Sequence, residues 1–124
     1  MSRPRILVVD DEQHIVSLLS VTLRKEGYEV VSANTGQKAL QLAELFEFKL
    51  VITDHSMPGM DGLELSNLID PAIPVIMITS RPQILKERVH RIQDVMHKPF
   101  SPREVATKVA SLIGPGNPPK EQSA

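Results

Sequence analysis

Apolar residues come in short, dense runs. They are RILVV (5–9), YEVVSA (28–33), LVITD (50–54), VIMIT (75–79) and VMH (95–97). The first, third and fourth are almost solidly apolar instead of alternating, the pattern of parallel strands covered on both faces. The segments between them carry helical period. Ile15, Leu18, Leu19, Thr22 and Leu23 form one stripe, with Gly27 placed to stop that helix. Thr35 can cap a second helix whose inner face is Ala39, Leu40, Ala43 and Phe46. A third uses Leu65, Leu68 and Ile69 and ends before Pro71, and a fourth uses Leu85, Val89 and Ile92. The fifth opens with Ser101 as cap and Pro102 at its first position, followed by Val105, Val109, Leu112 and Ile113. Strand and helix thus alternate five times. Right-handed crossovers then give a doubly wound α/β fold, a parallel sheet with helices on both faces. Residues 1–113 are expected to form one domain. Residues 114–124, GPGNPPKEQSA, have no apolar period and are expected to be a disordered tail or linker.

The polar residues change the picture because they gather where the apolar runs end. Asp10 and Asp11 follow the first run, Asp54 closes the third, Thr79 and Ser80 the fourth, and His97, Lys98 and Pro99 the fifth. In an open parallel sheet these ends share one edge, the edge where ligands bind. A single Asp after a strand is ordinarily a turn residue and a single Lys a solvated charge. Polar groups from four strands converging on one cleft are not accounted for that way. Three crowded carboxylates repel, and a divalent cation relieves the repulsion. Oxygen ligands without cysteine point to a hard ion such as Mg²⁺. Lys98 and Thr79 suit phosphoryl oxygens, and a carboxylate can itself be the nucleophile. The edge therefore reads as a site for phosphoryl transfer onto an aspartate.

Composition narrows the alternatives. Fourteen basic and 15 acidic residues leave a formal charge of −1, too balanced to draw nucleic acid or an acidic membrane. There is no cysteine, which suits a reducing compartment, and three Phe, one Tyr and no Trp leave little for base or flavin stacking. No apolar run approaches the length of a membrane span, and the N-terminus MSRPR lacks the long apolar stretch of a signal peptide. A cytoplasmic protein is expected. A calcium-loop reading of DHSMPGMDG fails for want of acids at alternate positions.

The segments ILVVDDE, VITDHSMPGMDGLEL, VIMITS and HKPFSP, in this order and each at a strand end, resemble the receiver domain of two-component response regulators, of the chemotaxis-regulator type. The likeness covers residues 4 to 113. It implies a flavodoxin-like, five-stranded sheet of order 2-1-3-4-5 with five helices. By the same resemblance Asp54 is the phosphoryl acceptor and Asp11 the direct Mg²⁺ ligand. Asp10 helps hold the metal, and Ser56 offers its backbone carbonyl to it. Thr79 turns its hydroxyl to the phosphoryl group, Lys98 contacts that group, and the Lys98–Pro99 bond is cis. Ser56 and Arg81 take positions that tune hydrolysis. The donor would be a histidine kinase or phosphotransfer protein, and the output a downstream protein target bound on the face of the fourth and fifth helices and the fifth strand. The chain would be a monomer or weak dimer, without nucleic acid or membrane partner of its own, and no enzyme beyond its own phosphorylation and dephosphorylation.

Two departures stand out. Val95 occupies a position where the family carries an aromatic, and the connections LIDPAIPV and RIQDVMHKPF are short. They leave a second reading open, a receiver-like interaction domain that works without phosphorylation. A flavodoxin is excluded by DDEQH where a phosphate loop would lie, and an aspartyl phosphatase by the adjacent, not alternate, acids. His55 and His97 flank Asp54 and Lys98 but are expected to point away from the site. His14 and His90 are expected in solvent, and Met57 and Met60 in loop packing.

Overall fold

The computed structural model describes residues 3–85 and 92–118. Five strands, β1 (Arg5–Val9), β2 (Glu29–Ala33), β3 (Leu50–Asp54), β4 (Val75–Thr79) and β5 (Asp94–His97), form one parallel sheet of order β2-β1-β3-β4-β5. The register runs through Val8↔Ser32, Val8↔Ile52, Ile52↔Ile76 and Ile78↔Met96. The helices are α1 (Gln13–Lys25), α2 (Gly36–Leu45), α3 (Gly62–Leu68) and α4 (Pro102–Ile113).

Alternation, hidden in the solid apolar runs, sorts the core into two layers. Ile6, Val8, Leu50, Ile52, Ile76, Ile78 and Met96 face α1 and α4, meeting Leu19, Leu23, Val105 and Val109. Leu7, Val9, Val51, Val75 and Met77 face α2 and α3, meeting Ala39, Leu65 and Ile69. Even-numbered residues of these strands thus look one way and odd-numbered ones the other. The strand order reverses beside β1, which lies between β2 and β3, so the ends of β1 and β3 border the crevice at the switch point.

Caps set the helix starts. Thr35 accepts the Lys38 N–H at 3.0 Å, and Ser101 accepts the Glu104 N–H at 3.1 Å with Pro102 next in line. Asp61 and Glu64 form a reciprocal capping box on α3. Gly27 adopts φ +93 just past the C-cap of α1.

Four α-helices lie among the described residues, where the sequence predicts five. The expected fourth falls mainly on residues 86–91, outside the described residues. Before them the chain makes a 3₁₀ turn, Pro82–Leu85, a short element that tolerates the missing proline N–H at its start. Ile92 is buried in the α2–α3 layer from a non-helical position. The inner stripes also differ in detail. Leu18 is 38 % exposed and Leu68 60 % exposed, because Val16 and Ser20 on α1 and Ser66 on α3 take the inward places. Phe46 is half exposed at the C-cap of α2, edge-on to the buried Phe48 and covered by the Arg5 guanidinium at 4.9 Å.

Residues 114–118, the start of the segment expected to be disordered, are anchored. Tyr28 Oη donates to the Gly114 carbonyl at 2.6 Å, Asn117 N–H to the Gly27 carbonyl at 2.9 Å, and Arg3 Nε to the Asn117 carbonyl at 2.9 Å. The backbone reaches so close because Gly27 has no side chain; a Cβ there would stand 2.1 Å from the Asn117 carbonyl carbon. Burial and the neighbouring Glu26 push the Tyr28 phenol up, with a backbone hydrogen bond from Gly116 opposing them.

Candidate functional site

β1 and β3 run side by side, and their even-numbered rows carry Val8 to Asp10 and Ile52 to Asp54. Both acids are therefore delivered to the same side of the carboxyl edge, with Asp10 1 % and Asp54 3 % exposed. Asp11 joins them from the exposed turn. One carboxylate oxygen from each of Asp10, Asp11 and Asp54 lies within 4.8 Å of the other two. From the last strand, Lys98 follows the row of Met96, and its Nζ donates to Asp54 Oδ1 at 2.8 Å. The Lys98–Pro99 bond is cis.

The charges do not balance evenly. Asp10 Oδ1 accepts the Glu12 N–H at 2.9 Å, but Asp10 Oδ2 is buried with no hydrogen-bond partner among the described residues. Burial is the main reason that Asp10 is pushed up to about 6; the Asp54 charge adds to it, while the Glu12 N–H and Lys98 oppose it. Burial pulls the Lys98 ammonium down. The hydrogen bond and charge of Asp54, with Asp10 and Glu12 behind it, more than reverse that, so its net shift is upward. A buried, undonated carboxylate oxygen beside two further carboxylates is the donor set a hard divalent cation satisfies. The residues present therefore fit Mg²⁺.

The loop that follows is drawn tight against the strand. His55 N–H donates to the Ile78 carbonyl and Gly62 N–H to the His55 carbonyl, both at 2.9 Å. A Cβ on Gly62 would stand 2.4 Å from the Asp54 carbonyl oxygen and 2.7 Å from Met77 Sδ, so the first residue of α3 can approach the acid's backbone only as glycine. Ser56 is exposed in this loop, and Met57 is buried in the α2–α3 layer with Met60 half-buried beside it.

Thr79 sits differently from the acids. It belongs to the odd-numbered row of β4, with Val75 and Met77. Its hydroxyl accepts the Arg81 N–H at 3.0 Å and lies 3.4 Å from His55 Nδ1. His55 does point away from Asp54, as alternation requires, but the side it points to holds Thr79. Glu12 is a second residue whose part in the site the sequence pattern does not reveal. It is the N-cap of α1 yet makes no side-chain cap bond, and its carboxylate lies 3.7 Å from Lys98 Nζ and 3.6 Å from the ring of the exposed His14. The triple acid DDE was its only signal. His97 is exposed, and His90 lies outside the described residues.

Fold and site together define a doubly wound α/β domain whose acidic switch-point edge fits a divalent cation. The family comparison makes this specific: the response regulator receiver domain model matches residues 6–110, and the chain belongs to that family. Among curated relatives it is 36 % identical over 116 residues to the alkaline phosphatase synthesis transcriptional regulatory protein PhoP of Bacillus subtilis, covering 88 % of this chain and 48 % of that protein. It is 37 % identical over 118 residues to the transcriptional regulatory protein ResD of the same organism, again covering 88 % and 48 %. The chain thus spans about half the length of the curated relatives it matches. Among solved structures, the Vibrio cholerae chemotaxis protein CheY4 superposes with a TM-score of 0.84 at 28 % identity, covering 90 % of this chain and 99 % of that one. The Thermotoga maritima response regulator TrrA, solved in complex with Mg²⁺ and BeF, superposes with a TM-score of 0.80 at 34 % identity, covering 88 % and 98 %.

Proposed function

We propose that this chain is a phosphorelay response regulator that accepts a phosphoryl group on Asp54, from the phosphohistidine of a histidine kinase or phosphotransfer protein, and thereby switches a protein-interaction surface. The observation that carries the reading is the joint state of two buried acids. Asp54 is held by Lys98 at 2.8 Å, while Asp10 beside it keeps a buried oxygen without a donor among the described residues. Asp10, Asp11, Asp54 and the Ser56 backbone carbonyl would hold Mg²⁺, which when bound neutralises carboxylate and phosphoryl charge. The Mg²⁺–BeF complex of the Thermotoga relative supports that choice of ion.

An Asp54 carboxylate oxygen attacks phosphorus as the P–N bond to the donor imidazole breaks, and the imidazole leaves with the bonding electron pair and takes up a proton. The Lys98 ammonium, already hydrogen-bonded at the acceptor, moves with little rearrangement onto a phosphoryl oxygen and offsets the developing charge. Thr79 supplies a hydroxyl to another oxygen. Hydrolysis of the acyl phosphate resets the chain, with Ser56 and Arg81 tuning access of water. This is signalling and not metabolic catalysis. We assign residues 1–113 to the receiver and 114–124 to a tail or linker. The chain acts in the cytoplasm as a monomer or weak dimer on a downstream protein, without binding nucleic acid or membrane itself. Among the described residues no helix is long and apolar enough to cross a membrane.

Intact mass after incubation with acetyl phosphate tests this. One phosphoryl group should add to the wild type in the presence of Mg²⁺, and none with a chelator or in Asp54→Asn. Failure of the wild type to gain mass or to bind beryllofluoride would overturn the proposal and leave the unphosphorylated interaction domain.

A further inference from the structure

We propose that His55 is a positioning residue that latches Thr79 in the unphosphorylated state, a regulation of the same site that rests on Asp54 being the acceptor. The geometry follows from register. Asp54 pairs with Ile78, so the next residues, His55 and Thr79, stand side by side on the odd-numbered face. The Thr79 hydroxyl already accepts the Arg81 N–H at 3.0 Å. His55 Nδ1 lies 3.4 Å away; in the latch the hydroxyl donates its one hydrogen to an unprotonated Nδ1, with the ring proton on Nε2. The His55 backbone is pinned to Ile78 on one side and to Gly62 on the other, which holds its Cα beside the end of β4.

Asp54, Asp10 and Lys98 belong to the opposite, even-numbered face. For Thr79 to donate to a phosphoryl oxygen on Asp54, its hydroxyl must leave His55. The latch therefore opposes phosphorylation, and phosphorylation releases the imidazole. On β5, the half-buried Val95 takes a place in the same odd-numbered layer and has no polar group to hold Thr79. His55 thus ties the movement of Thr79 to the loop that leads into α3.

Two measurements test the latch. Long-range ¹H–¹⁵N spectra, taken without Mg²⁺ or any phosphoryl analogue, read the His55 ring directly. Nδ1 should report an accepted hydrogen bond that Thr79→Val removes; an Nδ1 resonance indifferent to Thr79→Val overturns the proposal. Beryllofluoride titration with Mg²⁺, followed by backbone amide shifts, reads the consequence. His55→Leu should tighten binding by about two- to fivefold, the scale of one modest hydrogen bond. His55→Asn, which can place an acceptor oxygen near the Nδ1 position, should return the affinity to that of the wild type. In the Thr79→Val background, His55→Leu should change nothing. A His55→Leu effect that persists without the Thr79 hydroxyl would make His55 a packing residue only and overturn the latch. Wild type that forms no beryllofluoride complex at all would instead overturn the acceptor assignment, and the latch with it.

Discussion

The two edges of the sheet are built on opposite principles. At the amino edge nearly everything is backbone paired to backbone: Glu29 N–H to the Pro4 carbonyl and Lys49 N–H to the Arg5 carbonyl, both at 2.8 Å, and Asn117 N–H to the Gly27 carbonyl at 2.9 Å. The side chains there close on complementary partners, Arg5 Nε on Glu29 at 2.7 Å and Tyr28 Oη on Gly114 at 2.6 Å. At the carboxyl edge, side chains of like charge face one another, a buried oxygen of Asp10 has no donor among the described residues, and Thr79 holds a long bond to His55. Mutually satisfied groups, including the Arg5–Glu29 ion pair, fix the chain at one end. Negative charge only partly offset by Lys98 at the other leaves a site that fits a cation, at a cost in stability.

Breaking each edge should therefore have different consequences. Gly27→Ala places a Cβ at positive φ and into the Asn117 backbone, and it should cost about 2–4 kcal/mol in urea unfolding. It should also free the Asn117 amide to exchange, yet leave phosphoryl acceptance on Asp54 intact. Gly62→Ala is a comparable overlap at the other edge, against the Asp54 carbonyl. Its stability cost should be about 1–3 kcal/mol, but here acceptance from acetyl phosphate should slow at least about tenfold, since small displacements of reacting groups are expensive. If both variants lost acceptance equally, the two edges would not be independent.

Asp10 sharpens the comparison through pH. Its folded value, about 6, is above the ordinary 3.8, so the folded protein binds this proton more tightly than the unfolded chain. The contribution is fully favourable below the lower value and is lost as pH rises through the upper one. Without Mg²⁺, stability should fall across that window by about 1–3 kcal/mol from this group. Asp10→Asn should remove the fall and raise stability near neutral pH, and it should also weaken stabilisation by added Mg²⁺. At the amino edge no such gain is available: Tyr28→Phe should lose about 1 kcal/mol, one satisfied hydrogen bond, with no dependence on Mg²⁺.

Much of this was legible in the chain, and the limits have physical causes. Strands over 5–9, 50–54 and 75–79 stand where the apolar runs end, because a strand covered on both faces leaves no doubt about its extent. Asp10, Asp11, Asp54 and Lys98 are brought together as the spacing at strand ends requires. Helical stripes were less exact. Leu18 and Leu68 lie outward because a short helix can rotate by one residue and substitute a small polar side chain, Ser20 or Ser66, against the sheet. The tail shows the same weakness of composition as a guide. Glycine and proline remove apolar period, but they also let two backbones touch, as Gly27 and Asn117 do.

Period and charge are written locally, so the alternation of elements, the two-sided burial of the central strands and the residue types that converge on one edge can be read along the chain. Which acid loses its solvent, the meeting of Asp54 and Lys98 at 2.8 Å and the facing of His55 and Thr79 arise only in the folded molecule. Those outcomes depend on register between β3 and β4 and on the approach of α3 through Gly62, and both are set by pairing between residues far apart in the chain.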